Sequence, residues 1–516
     1  MPLPDPGVSS GKTNPMASVS FTVDDDYDST KTVRLDGNPL ASYAGPASSH
    51  AFGPDGQGRF ILNDTGTIAD GGSTFTDAAR TVPGGYAALT SDRYAVFLDM
   101  FDNTASLSLT GGTFGDVLRG GSGDDVLTGG GGNDVFEGGE GDNVIKGGTG
   151  SDTVSYEHAQ YSIEVYLEDS RAYTAPTGDE DTLSSIANVR GTRFGDVLTG
   201  DGRANRIEGG AGEDVIGGGG GNDALDGGAG NDSINGGGGD DLIEGGAGTD
   251  VIRGGGGIDT ASYEHSSSGV TIDLFRTYQV SGGDANEDML YDITNVTGSL
   301  YGDRLAGNGK DNTLDGSGGA DRLYGNNGND RLIVSATPVE VDGGAGRDVL
   351  IVEVNPNLDT LRFSDETFSA IEKVAVRSDG SIDMRDVTLG TSIISQSVAG
   401  DHGKIIGTAG DDRIRAGSGG DRIDAWSGDN TVLGGVGKDQ FIFRSEKGRT
   451  EIHDFELGRD KLNVVPLTTN FDDVVITSVH GGDDTLVTFA KYTGIEHRII
   501  LHDVAASSLG EGDFII

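Results

Sequence analysis

The chain contains no cysteine, so no disulfide contributes to its fold, a feature that fits export in an unfolded state. Basic residues are scarce: 36 Lys and Arg stand against 83 Asp and Glu, a formal net charge of −47 over 516 residues. Such a surface cannot displace counterions from a nucleic-acid backbone, which excludes nucleic-acid binding as the main role and disfavours a bare anionic membrane. Apolar runs are short, and none approaches the roughly 20 residues that span a bilayer. The first residues, Met1-Pro2-Leu3-Pro4-Asp5, lack a basic region followed by an apolar one, so no cleaved Sec signal is expected. No His-Glu-x-x-His pentapeptide occurs, the eight histidines being scattered, and no Gly-x-Ser-x-Gly elbow lies between a strand and a helix. High net charge with modest hydrophobicity ordinarily leaves a chain disordered. Something present in excess must offset it.

That excess is glycine, 90 residues of it, set in a fixed period with aspartate. Residues 191–262 divide into eight nonapeptides with none left over, one of them reading Gly227-Gly228-Ala229-Gly230-Asn231-Asp232-Ser233-Ile234-Asn235. The pattern is Gly-Gly-x-Gly-x-Asp-x-U-x, with U bulky and apolar. Six residues make a turn in which glycine supplies positive φ, and three make a short strand with U pointing inward. A short fixed period implies a solenoid. Two nonapeptides, 18 residues, close one coil, so aspartates 18 apart stack on one edge. One edge of this block carries Asp196, Asp214, Asp232 and Asp250, and the other Asn205, Asp223, Asp241 and Asp259. The inward column is Leu198, Ile207, Ile216, Leu225, Ile234, Ile243, Ile252 and Ala261. Neighbouring strands lie about 4.8 Å apart. Two unit charges at that spacing repel by roughly 0.8 kcal/mol even in water, and a dozen such pairs approach ~10 kcal/mol, a whole domain's stability. Carboxylates and turn carbonyls are hard oxygen donors of the kind Ca2+ prefers, so the ladder is expected to need Ca2+ as a structural cofactor coupled to folding.

Around this block the chain falls into segments. Residues 1–17 are expected to be disordered, and 18–110 to form a β-rich N-terminal domain or cap, in which Asp24-Asp25-Asp26 reads as a solvated turn. A first repeat block, 111–155, carries Asp116, Asp125, Asp134, Asn143 and Asp152. Interruptions at 156–190 and 263–297 are each 35 residues long and align at a constant offset of 107: Ser155-Tyr156-Glu157-His158 matches Ser262-Tyr263-Glu264-His265, and Glu180-Asp181 matches Glu287-Asp288. This duplication is expected to make irregular β-helical coils with protruding loops near 171–180 and 278–287. His158 and His265 read as repeated side chains at a coil mouth rather than as ligands. A third block, 298–351, carries Asp303, Asn312, Asp321, Asp330 and Asp348; Pro338 and Val339 spoil one turn, yet Val341 keeps the inward position. Residues 352–406 read as an irregular β segment, and a fourth block, 407–442, carries Asp412, Asp421, Asn430 and Asp439. Residues 443–516 alternate like capping strands. Same-edge pairs give about 14 sites, those with Asn143, Asn205, Asn312 or Asn430 being weaker for want of a charge.

The nonapeptides over roughly 111–442 resemble the calcium-binding repeat of the RTX (haemolysin-type) family. Gly434-Gly435-Val436-Gly437-Lys438-Asp439-Gln440-Phe441, followed by Asp454-Phe455-Glu456-Leu457-Gly458-Arg459-Asp460-Lys461-Leu462, resembles the C-terminal region of serralysin-type proteases. The first resemblance implies an all-β, calcium-binding parallel β-roll or β-helix solenoid. The second implies an uncleaved type I secretion signal, an aspartate followed by apolar residues, here Asp513-Phe514-Ile515-Ile516. Together they imply export by the type I machinery from a Gram-negative cytoplasm to the extracellular medium or cell surface.

The catalytic signatures of RTX proteases and lipases are missing, as is a pore-forming helical region, and residues 18–110 are too few for a catalytic β-helix. Three readings of the role remain: a structural or adhesive surface component of the S-layer or matrix kind, a secreted polysaccharide-acting enzyme, and a calcium-dependent carbohydrate-binding module. The first is preferred, with surface polysaccharide or self-association as the partner.

Overall fold

In the computed structural model the described residues are 106, 108–174, 177–277, 282–353, 360–377, 380–444, 448–490 and 497–516, together with the backbone of six earlier strands. The expectations for residues 1–17, for Asp24–Asp26 and for the first part of the loop near 278–287 lie outside them. Among the described residues there is no α-helix, only strands and single 3-10 turns. The chain divides into two compact units, Met1–Ile243 and Glu244–Ile516.

In the first unit alternate nonapeptides feed two parallel sheets. Val197–Thr199, Val215–Gly220 and Ser233–Gly238 pair in sequence on one, and Asn188–Arg190, Arg206–Ala211 and Ala224–Ala229 on the other. Register partners such as Ile216↔Ile234 are one 18-residue coil apart. Because side chains alternate along a strand, the middle residue of each triplet points inward. Leu198, Ile207, Ile216, Leu225, Ile234 and Ile243 are all at most 2% exposed, each burial worth ~2 kcal/mol. Leu118, Leu127, Phe136, Ile145 and Val154 continue the column in residues 111–155. The turns need glycine for two reasons. Gly228 and Gly230 sit at φ 93° and 154°, and a Cβ on Gly230 would run into the Gly212 carbonyl oxygen of the neighbouring coil.

Parallel pairing reaches back before residue 108: Ser18–Phe21 pairs with Tyr86–Leu89, Arg59–Asn63 with Ala95–Asp99, and Ala95–Asp99 with Val117–Gly121. The interruption at 156–190 differs from the loop expected near 171–180. Ile163–Tyr166, Arg171–Thr174 and Asp179–Ser184 form an antiparallel meander, whose outer strands pair in parallel with Val197–Thr199 and Val144–Thr149. Buried Ile163, Val165 and Leu183 supply the inward positions, so an apolar alternation replaces the repeat without breaking the sheet.

In the second unit one sheet runs without a break through Thr260–Ser262, Asn295–Thr297, Thr313–Asp315, Arg331–Val334, Val349–Glu353, Lys373–Arg377, Ser392–Ser395, Arg413–Arg415, Gly428–Leu433, Gly448–Ile452 and His497–Leu501, all parallel. Residues 352–406, read from the sequence as irregular, keep the coil but lengthen it. Partners Leu350↔Val374, Val374↔Ile393 and Ile393↔Ile414 give coils of 24, 19 and 21 residues. The spoiled turn at Pro338 and Val339 likewise leaves Val341 buried and in register with Leu323. Near the end, Val474–Val479, Asp484–Phe489 and His497–Leu501 turn antiparallel, and Phe514–Ile515 pairs with Lys461–Asn463.

Candidate metal centres

A turn that closes every nine residues brings its aspartate against the backbone of the turn one coil away. The N–H of Asp196 donates to Asp214 Oδ1 (2.7 Å) and that of Asp214 to Asp232 Oδ1 (2.8 Å). On the opposite edge Asn205 donates to Asp223 Oδ1 (2.8 Å) and Asp223 to Asp241 Oδ1 (2.9 Å). The first block repeats this with Asp116 to Asp134, Asp125 to Asn143 and Asp134 to Asp152, at 2.7, 2.9 and 2.8 Å. So do Asp303 to Asp321, Asn312 to Asp330 and Asp330 to Asp348, at 2.9, 2.8 and 2.8 Å, and Asp412 to Asn430 and Asp421 to Asp439, at 2.7 and 2.9 Å. Asp250 donates instead to Asp288 Oδ1 (2.8 Å), and the Asp259 carbonyl accepts Asn295 N–H (2.9 Å). All the ladder residues named from the sequence are buried, none more than 3% exposed.

One carboxylate oxygen is thus committed to the ladder. The other, Oδ2, has no hydrogen-bond partner in Asp134, Asp152, Asp214, Asp223, Asp321, Asp330, Asp348 and Asp439, though it is buried in each. It is aimed at the first glycine of its own turn, and for Asp134, Asp152, Asp214, Asp223, Asp330 and Asp348 a backbone carbonyl from the next coil converges there. The spot a Cβ would fill at Gly209 is bounded by Asp214 Oδ2 and Gly227 O, and at Gly325 by Asp330 Oδ2 and Gly343 O. A buried, ionised oxygen facing a carbonyl oxygen is repulsive unless a cation lies between them. Burial first, opposed by the ladder N–H bond, then neighbouring carboxylates push Asp134, Asp214, Asp321 and Asp439 up to about 7, and Asp223 and Asp330 to about 6. Oxygen donors of this kind fit a hard divalent ion such as Ca2+.

Some turns satisfy themselves. The asparagines turn their amide on a carbonyl: Asn205 Nδ2 donates to Ala187 O (2.8 Å), Asn312 Nδ2 to Thr294 O (2.7 Å), Asn143 Nδ2 to Gly141 O (3.2 Å) and Asn430 Nδ2 to Ser427 O (3.0 Å). Block-opening turns do it with a hydroxyl in place of the second glycine. Thr192, Ser299 and Thr408 each give a backbone N–H to Oδ2 and a hydroxyl to Oδ1 of Asp196, Asp303 and Asp412.

Four ladder carboxylates escape the nonapeptide pattern. Where a block meets an interruption or an irregular coil, the N–H of Asn143 donates to Asp181 Oδ1 (2.9 Å), Asp348 to Glu372 Oε2 (2.6 Å) and Asp439 to Asp460 Oδ1 (3.0 Å); Asp288 plays the same part for Asp250. The 107-residue offset was the signal for two of them, because it aligns Asp181 with Asp288. Their Oδ2 atoms take a phenol, from Tyr156 (2.9 Å) and Tyr263 (3.1 Å), both tyrosines being buried. The same offset relates two ion pairs, His158 Nδ1 with Glu137 (2.9 Å) and His265 Nδ1 with Glu244 (2.8 Å). These histidines fasten each interruption to the coil before it.

The family model of the RTX calcium-binding nonapeptide repeat (4 copies) matches residues 110–145, 128–156, 190–225, 226–261, 297–332 and 406–441. No curated protein matches the chain. Among solved structures, the extracellular lipase LipA from Serratia marcescens is similar at 13% identity and a TM-score of 0.15, over 84% of this chain and 42% of the lipase chain. This chain therefore spans less than half of that lipase, and the solenoid described above rests on its own strand pairing.

Proposed function

The chain carries RTX calcium-binding nonapeptide repeats, and from that premise we propose that its paired aspartates hold several structural Ca2+ ions, and that it is a secreted, calcium-folded component of a cell surface or extracellular matrix. The observation that carries the calcium reading is the row of buried Oδ2 atoms without a hydrogen-bond partner, of which Asp134, Asp214, Asp223 and Asp330 share their spot with a glycine carbonyl from the next coil and Asp152 and Asp348 with Ser185 O and Ala370 O. The residues that would hold the ion are Asp134, Asp152, Asp214, Asp223, Asp321, Asp330, Asp348 and Asp439, with carbonyls such as Gly227 O and Gly343 O. Bound Ca2+ supplies positive charge to oxygens that the fold buries and leaves facing one another. The chain's own residues set the turn, present the oxygens and hold Oδ1 on the ladder. Where an asparagine or a hydroxyl has already satisfied the turn, less is left for the ion to do. The number of strongly held ions should then fall below the sequence count of about 14.

Export by type I machinery is supported by the repeat family and by the resemblance around Asp513. The structural or adhesive role is supported by the duplicated interruptions, which repeat the Tyr–Asp and His–Glu pairs at a fixed offset. One feature favours glycan recognition as a second reading: a pocket of about 190 Å³ lined by Glu137, His158, Tyr161 and Asp179. Imaging the surface of the producing cell with and without the protein tests the first reading; an unchanged surface together with glycan binding lost on Tyr161→Ala selects the second.

A further inference from the structure

Three of the eight scattered histidines come together in the second unit. Gly448–Ile452 and His497–Leu501 pair in parallel with Ile452 opposite Leu501. The next residues, His453 and His502, therefore leave adjacent strands at the same level, and their rings stack 4.1 Å apart at 13°. Glu451 Oε2 lies 3.7 Å from His453 Nε2 and 3.5 Å from His502 Nε2. One ligand atom of each of the three residues lies within 4.8 Å of the others. The other oxygen of Glu451 faces Arg449 Nε at 3.4 Å, leaving Oε2 to the histidines.

The tautomer of His502 follows from its other side. Asp484 Oδ2 lies 3.1 Å from His502 Nδ1 and 2.7 Å from His480 Nδ1, and Asp484 Oδ1 accepts the Asp503 N–H (3.0 Å). An ionised carboxylate only accepts, so the proton of a neutral His502 sits on Nδ1 and Nε2 keeps its lone pair. That nitrogen is buried, has no hydrogen-bond partner, and faces the carboxylate oxygen of Glu451. A ring lone pair and a carboxylate oxygen 3.5 Å apart are reconciled either by a second proton on the ring or by a metal ion between them. Ligands about 2.0–2.1 Å from a tetrahedral ion are about 3.3 Å from each other, close to the two spacings seen here. Imidazole nitrogen selects ions of the zinc class, whereas the aspartate ladder offers oxygen alone.

We propose that Glu451, His453 and His502 form a site for a divalent transition ion of the zinc class, with Asp484 as the positioning residue that orients His502. A carboxylate behind a ligating histidine raises its basicity and fixes its ring. The site is separate in chemistry from the calcium ladder and does not depend on it for ligands.

The test uses the full chain folded in saturating Ca2+, titrated with Zn2+ by calorimetry and with Co2+ by visible absorption. The expected result is one Zn2+ per chain that Ca2+ does not displace, and a four-coordinate Co2+ spectrum that Zn2+ abolishes. His453→Ala and His502→Ala should each weaken binding by at least about 100-fold, and Asp484→Asn by about 10-fold or more, with the calcium-dependent circular dichroism unchanged. Should a variant fail to fold, the imidazole proton resonances of the unaltered protein still decide: Zn2+ should shift His453 and His502 together. Absence of Zn2+ binding, binding unchanged in the double histidine variant, or a His502 that stays doubly protonated at neutral pH with Zn2+ present would overturn the proposal.

Discussion

If the buried carboxylates are what keeps the metal-free ladder from closing, protons should substitute for calcium. Asp134, Asp214, Asp321 and Asp439 are pushed up to about 7 by burial, from an ordinary 3.8, and Asp223, Asp330 and Asp412 to about 6. A folded value raised above the unfolded one makes stability that is fully present below about pH 4 and lost as pH rises through 6 to 7. Raising a carboxyl from 3.8 to about 7 costs its charged form about 4 kcal/mol, and to about 6 about 3 kcal/mol; halved for water reaching the turn edge, this is ~2 kcal/mol per carboxylate. Seven such groups penalise the metal-free fold at pH 8 by ~10 kcal/mol or more, comparable with a domain's whole stability. Far-ultraviolet circular dichroism of decalcified protein, taken from pH 8 to pH 5, should therefore gain β signal with a midpoint between 6 and 7. Exposed carboxylates titrate near 4, so a midpoint there would assign the effect to overall charge. A spectrum that does not change across this range would refute the reasoning.

Four further outcomes follow from single side chains. Asp214→Asn keeps the ladder acceptor and supplies an amide of the kind Asn205 turns on Ala187 O; by chemical denaturation in chelator at pH 8 the metal-free fold should gain ~2 kcal/mol, with no gain at pH 4, while calorimetry finds fewer calcium ions. Asn205→Asp is the converse, removing that amide bond and adding a buried charge; it should destabilise the metal-free fold at pH 8 while calorimetry finds more calcium taken up. Tyr156→Phe leaves Asp181 Oδ2 without its phenol and should lower the calcium-bound unfolding free energy by ~1–3 kcal/mol. Asp513→Lys removes the acceptor of the Gly458 and Gly510 N–H groups (both 3.0 Å); protein should accumulate in the cytoplasm by fractionation, with the calcium response of the repeats retained.

The repeat made part of this molecule legible and hid the rest. Ile216 and Ile234 could be placed in register from their spacing alone, because each nonapeptide offers one inward position and one aspartate. The same counting located Asp348 across the spoiled turn at Pro338. It could not reach Asp460 or Glu372, whose coils are longer than 18 residues, since a changed coil length breaks the only ruler available. Nor did it distinguish the two carboxylate oxygens: that Oδ1 is committed to the ladder and Oδ2 is not depends on backbone direction at the turn. Thr192, Ser299 and Thr408 depart from the glycine of the pattern, and spacing alone does not show that each hydroxyl donates to its own aspartate. His453 and His502 lie far apart in sequence, in a region without repeats, and only the pairing of Ile452 with Leu501 brings them together.

The central claim is that ion occupancy and folding are one event. It is tested most directly by titrating decalcified protein with Ca2+ in a calorimeter while circular dichroism follows the same samples at pH 8. The account predicts a chain largely without β signal in chelator, folding over one range of calcium concentration and taking up several ions per chain, up to about 14. A β spectrum unchanged in excess chelator, or a stoichiometry of only one or two, would contradict it.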